Sequence, residues 1–122
     1  MPLATPGNRS ESEMPSAASS DEELFERIRS GSEPHFNLIY DRYFRRIYNF
    51  IYLRVRNHAD AEELTQETFT AVFRSIDGYS GRSTPLGWIY GIAKNTVHSH
   101  LRKLRTQGER MERVGLESLT AT

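Results

Sequence analysis

Two stretches between residues 60 and 105 hold the side chains with the most chemical capacity. In the first, Glu63, Gln66, Glu67 and Thr70 recur at steps of three and four, so a helix would gather them on one side. In the second, Gly91, Lys94, His98, Arg102 and Arg105 fall within one stripe of roughly 80° when turned at ~100° per residue. Asn95 and Ser99 border that stripe. Lysine and arginine attract phosphate in a salt-dependent way. Asparagine and histidine can reach base edges, and a glycine leaves room for a sugar-phosphate backbone. The second stretch thus has the make-up of a nucleic-acid face. Its plainer reading is a solvated helix with cations near its C-terminal end, where the dipole favours them. The carboxylate face reads as a dock for a basic partner, against the same plain alternative.

The segment joining them, Gly78-Tyr-Ser-Gly-Arg-Ser-Thr84, is short, rich in donors and punctuated by glycine. Its backbone and hydroxyl groups could wrap a single extruded base; the bland reading is a connector. Tyr79, Trp88 and Tyr90 flank its ends. Aromatic rings beside cations stack on unpaired bases, each worth roughly 1–3 kcal/mol, and they equally anchor small cores. Catalysis finds no support. Glu63 and Glu67 pair two carboxylates, but no His or Asp completes a metal or acid–base set on that face. His98 and His100 are two apart and point in different directions on a helix, so neither a zinc pair nor a Ser-His-Asp set assembles. No phosphate-binding P-loop is present. No catalytic residue, metal or cofactor is expected, and the chain is not expected to be an enzyme.

The elements that must position these groups are helical. Ser20 with Glu23 forms a capping box before Leu24, Phe25 and Ile28, which predicts a short helix from about residue 21 to 30, stopped at Gly31. Ser32 can cap the next, with Pro34 tolerated in its first turn. Phe36, Ile39, Tyr40, Tyr43, Ile47, Phe50 and Ile51 then keep a helical period over four turns, ending near Asn57. Asp60 with Glu63 repeats the capping pattern. Leu64, Phe69, Val72, Phe73 and Ile76 form the buried side, and Asp77-Gly78 stops that helix. Thr84-Pro85 opens the last, whose apolar face is Leu86, Ile89, Ala93, Val97, Leu101 and Leu104. The expected fold class is all-α, a small bundle of three main helices plus a short N-terminal one. Residues 1–19 are rich in Pro, Ser and Ala and read as a disordered tail; 20–105 form the helical domain; 106–122 lose the period and read as linker or frayed tail.

Sixteen Lys and Arg balance sixteen Asp and Glu over 122 residues, but the charges segregate. Residues 1–23 hold one cation against five anions, and residues 86–110 five cations against one anion. One helix, rather than the whole chain, is suited to a polyanion. There is no cysteine, which excludes disulfides and thiolate metal sites. No apolar run approaches the ~20 residues that span a bilayer, and the first residues have neither the basic start nor the apolar core of a secretory signal. A cytoplasmic protein without membrane insertion is the simplest expectation.

The run Asp60-Ala-Glu-Glu-Leu-Thr-Gln-Glu-Thr-Phe-Thr-Ala-Val-Phe-Arg74 resembles region 2.2 of bacterial sigma factors. Trp88-Ile-Tyr-Gly-Ile-Ala-Lys-Asn95 with Leu101-Arg-Lys-Leu-Arg105 resembles regions 2.3 and 2.4, and the helix over residues 36–57 resembles region 2.1. The brevity and the Trp-x-x-x-Ile-Ala-x-Asn spacing point to the extracytoplasmic-function (ECF) group. The resemblance covers roughly residues 21–105.

It implies transcription initiation by binding. Glu63, Leu64, Gln66, Glu67 and Phe69 would dock on the β′ coiled coil of core RNA polymerase. The loop, with Tyr79, Ser80, Arg82 and Ser83, would hold a flipped base of the minus-ten promoter element on the non-template strand. Lys94, Asn95, His98, Arg102 and Arg105 would face promoter DNA. A helical anti-sigma protein is the expected inhibitor, and the bacterial cytoplasm the expected location. Ser99 stands where an Asp is common in this group, and Thr68 where an aliphatic residue is common. Nothing after residue 105 of this chain resembles region 4. The alternative is a region 2-like module that binds polymerase or an anti-sigma protein without reading a promoter.

Overall fold

The computed structural model describes residues 14–120, with side chains as far as Leu116. Among the described residues four helices follow one another: α1 (Asp21–Arg29), α2 (Glu33–Val55), α3 (His58–Ser75) and α4 (Pro85–Thr120), with a 3₁₀ turn, Ile76–Gly78, closing α3. No strand occurs among the described residues.

Local capping sets each start. Ser20 accepts from the Glu23 N–H, Asn57 from the Asp60 N–H and Thr84 from the Gly87 N–H, at 2.9–3.1 Å. Each such cap is worth about 1 kcal/mol. Ser32 caps α2 more loosely, at 3.4 Å. Two ends need positive φ: Gly31 at +95° after α1, and Arg56 at +56° after α2. Arg56 and Asn57 alone link α2 to α3, which folds the two helices into a tight hairpin.

The core is continuous across all four helices. Leu24, Phe25 and Ile28 of α1 meet Ile39, Ile47 and Ile51 of α2. Leu64, Phe69 and Val72 of α3 and Ile89, Ala93 and Val97 of α4 close it. Each large apolar side chain buried this way contributes roughly 1.5–3 kcal/mol. Thr65 and Thr68 are fully buried, yet their hydroxyls donate to the Ala61 and Leu64 carbonyls at 2.6 and 2.8 Å. The polar atom at position 68 therefore carries no desolvation penalty.

Asp21 ties α1 down. Its carboxylate accepts from Arg42 at 2.8 Å and from the Tyr43 hydroxyl. Arg42 also donates to the carbonyls of Ser19 and Ala17. Residues 16–19 thus form a turn, closed by Ser19 N–H donating to the Ser16 carbonyl, rather than a disordered segment. The expectation for residues 1–13 lies outside the described residues.

Other expectations also change. The third helix begins at His58, capped by Asn57 rather than Asp60; Asp60 occupies its first turn. Phe50, on the apolar stripe of α2, is only half-buried. Phe73 is 38% exposed, and Leu101 and Leu104 are 41% and 49% exposed, because core packing on α4 stops at Val97. Residues 106–120 continue α4 as helix instead of forming a linker or frayed tail. Their apolar period is lost because this part of the helix packs on nothing; its side chains through 116 are all exposed. A helix without a buried face still forms where good helix formers such as Gln, Glu, Arg and Met dominate.

Candidate nucleic-acid and protein interfaces

On α3, Glu63, Gln66, Glu67 and Thr70 are exposed along one side. Leu64 and Phe69 are not surface contacts. They are 5% and 1% exposed, and the Phe69 ring packs against Tyr40 at 4.9 Å. Both shape the face from beneath.

Beside Gln66 runs a groove of about 550 Å³ between α2 and α3, lined by Phe36, Tyr40, Phe69 and Phe73. Phe36 and Phe73 meet edge to face at 5.1 Å. Periodicity put Phe73 on the buried side of its helix and Phe36 on the apolar stripe of the preceding one, and did not reveal the groove. The available signal was the width of the aromatic stripe, which exceeds what one helix contact can cover. Asp41 and Glu62 lie near this seam and, after burial, help to raise the Tyr40 pKa above the ordinary tyrosine value.

Glu63 and Glu67 also border a second cleft, of about 410 Å³, whose other wall is Thr96, Ser99, His100 and Lys103 of α4. His100 Nε2 sits 3.6 Å from Asp60 Oδ2 across it. Ser99, at the border of the basic stripe, thus also lines the cleft toward α3. Among the described residues no group of three or more His, Asp or Glu is placed to hold a metal ion.

Lys94, Asn95, His98, Arg102 and Arg105 are all exposed on α4. Among the described residues none of the three cations is ion-paired. Gly91 shares their side of the helix, and a Cβ there would meet nothing within 4 Å. An exposed mid-helix glycine costs about 1 kcal/mol relative to alanine, and here no packing requires it. Gly87 has a local reason: a Cβ would come to 3.0 Å from the capping Thr84 Oγ1. Tyr90 is partly buried against Phe50, edge to face at 5.2 Å.

The loop leads into this stripe. Ser80, Arg82 and Ser83 are exposed, whereas Tyr79 is half-buried. Its ring packs edge to face with Phe25 at 5.1 Å and lies 5.5 Å from Trp88. Its hydroxyl donates to the Ser83 carbonyl at 2.5 Å. The ring closes the loop on itself instead of standing free as a stacking platform, and Trp88 joins the same cluster. Gly81, at φ +83°, supplies the turn that only glycine adopts cheaply.

The sequence compares with known proteins as this geometry suggests. The sigma-70 region 2 model matches residues 39–107. The chain is 36% identical over 96 residues to the ECF RNA polymerase sigma factor BldN of Streptomyces coelicolor, covering 74% of this chain and 36% of that protein. It is 32% identical over 81 residues to the ECF RNA polymerase sigma-E factor of Escherichia coli, covering 66% and 42% respectively. It thus spans about two fifths of the curated relatives it matches. Among solved structures, an engineered region 2 of sigmaE in complex with GTAAAA superposes with a TM-score of 0.68 at 30% identity, covering 80% of this chain and 99% of that one. The chain belongs to the sigma-70 region 2 family, in its extracytoplasmic-function branch.

Proposed function

We propose that this chain serves transcription initiation as the polymerase-docking and minus-ten-binding domain of an ECF sigma factor, working in the bacterial cytoplasm. The observation that carries the reading is the separation of two exposed faces on one rigid bundle. One is the acidic side of α3 with its aromatic groove; the other is the loop and the unpaired basic stripe of α4. The similar domain of known structure was solved with a GTAAAA strand, which supports giving the second face to DNA.

In this mechanism Glu63, Gln66 and Glu67 meet a basic helical surface, the β′ coiled coil of core polymerase. Aromatic side chains of the adjoining groove seat its apolar residues. Lys94, Arg102 and Arg105 neutralise phosphates of the opened strand, and Gly91 lets that backbone approach. Asn95 and His98 reach base edges. Ser80, Arg82, Ser83 and the backbone of the loop hold one extruded base. Binding the opened strand in preference to duplex stabilises the melted promoter; bond-making belongs to the polymerase. An anti-sigma protein that covers either face would inhibit.

The test combines a pull-down of β′ with titration of a single-stranded minus-ten oligonucleotide. The wild-type chain should capture both, and Gln66→Ala should lose β′ alone. Capture of β′ with no preference for the minus-ten strand over a scrambled one would leave only the interaction-module alternative.

A further inference from the structure

The family match begins at residue 39, yet α1 is built into the loop that precedes α4. Phe25 of α1 meets Tyr79 edge to face at 5.1 Å and Trp88 at 5.8 Å. The Arg29 guanidinium donates to the Tyr79 carbonyl at 2.8 Å. The start of the loop is thus pinned from α1, and its end by the Tyr79 hydroxyl on Ser83. Between helix and loop lies a cavity of about 200 Å³, open to solvent. Phe25 and Tyr79 supply its apolar wall, Glu22, Glu26 and Arg29 its polar wall, and Ser80 with Gly81 its rim. Glu26 and Arg29 stand 3.6 Å apart, so an accepting and a donating group sit side by side.

We propose that α1 forms half of the base-capture site, and that this cavity selects an extruded base bearing an exocyclic amino group. The inference rests on the promoter-binding reading above and adds to it the identity of the second wall and the chemistry of the base. A carboxylate only accepts hydrogen bonds, and a guanidinium only donates. Adenine and cytosine each present an amino donor beside a ring-nitrogen acceptor on one edge, which the Glu26–Arg29 pair complements in order. Thymine presents a carbonyl where the amino group would be, and its oxygen would face the Glu26 carboxylate. Glu22 and Glu26 also keep phosphate out of the cavity by repulsion, so the backbone stays on the cationic stripe of α4. Arg29 is a positioning residue as well, since it fixes the loop through the Tyr79 carbonyl.

The test uses the full chain and minus-ten oligonucleotides that differ only at the extruded position: adenine against unsubstituted purine, and cytosine against thymine. Fluorescence anisotropy should show the amino-bearing base bound about ten-fold tighter in each pair, the scale of one good base contact. Glu26→Ala, singly and with Glu22→Ala, removes the acceptor and should shrink that ratio toward one while the melting temperature changes little, because Glu26 is well exposed; the lost phosphate repulsion acts on every strand alike and leaves the ratio readable. Arg29→Ala should lose discrimination without losing salt-dependent binding, and Arg29→Lys should restore part of it. A ratio near one in the wild type, or one unchanged by the alanine variants at Glu26, overturns the inference while leaving the promoter reading intact. Equal binding of minus-ten and scrambled strands would remove the promoter reading, and this inference would fall with it.

Discussion

Replacing Asp21 with alanine should unfasten α1 from α2 and, through α1, loosen the base-capture loop. The Asp21 and Arg42 side chains are only 19% and 22% exposed, 2.8 Å apart, and Tyr43 donates to the other carboxylate oxygen. A hydrogen bond to a charged group contributes about 1.5–3 kcal/mol, and an acid in the first turn of a helix roughly 0.3–1 kcal/mol. With a fifth of each side chain still wet, a loss of about 2–3 kcal/mol is expected, toward the lower end of the range for a charged pair. For a domain of this size that lowers Tm by on the order of 10–20 °C. Urea denaturation of wild type, Asp21→Ala, Tyr43→Phe and the double variant should give a coupling of roughly 1 kcal/mol or more. Burial, then the bond to Asp21 and its charge, pushes Tyr43 up to about 12. Unfolded tyrosine ionises first, near pH ~10, so stability should be complete below that and fall as pH rises from there toward 12. In Asp21→Ala this alkaline loss should shrink, and minus-ten binding should weaken more than β′ binding. A variant within ~0.5 kcal/mol of wild type, with no coupling to Tyr43, would refute the view that this contact anchors α1.

Ile47→Ala, at a fully buried site, should cost about 2–5 kcal/mol, and Phe50→Ala less, since Phe50 is half-exposed; calorimetry decides the order. Glu67→Lys should weaken β′ capture while shifting stability by under ~0.5 kcal/mol, and normal capture would remove this face as the dock. Arg102→Ala or Arg105→Ala should weaken all strands alike and lower the salt slope by about one each, whereas Asn95→Ala should narrow the gap between cognate and scrambled strands. His35 is buried, and burial, then the charge of Arg27, holds its imidazole below the ordinary value. Its contribution to stability should be complete above pH ~6.5 and lost as pH falls below that, a slope that His35→Leu should remove in acid melts.

The sequence by itself determined where the helices lie, because caps and stops act over three or four residues: Ser20, Ser32, Thr84 and Gly31 do locally what their types predict. The exception is instructive. Asn57 and Asp60 are both competent caps, and the choice fell to Asn57 because Arg56 turns left-handed to fold α2 back on α3. The polar stripes of α3 and α4 were legible for the same local reason, since a helix fixes which residues share a side.

Tertiary structure alone decided what each side meets. Val97 and Leu101 belong to one apolar stripe, yet one is buried and the other exposed, because α4 is 36 residues long and its neighbours α2 and α3 are 23 and 18. Phe73 and Phe36 border a groove rather than the core for a like reason: periodicity names a face but not the extent of the partner covering it. The loop looked like seven free residues; the long-range bond from Arg29 and the Phe25–Tyr79 contact, spanning some fifty positions, make it one wall of a cavity. Contacts across that separation depend on the packing of whole helices, and no local pattern in the chain encodes them.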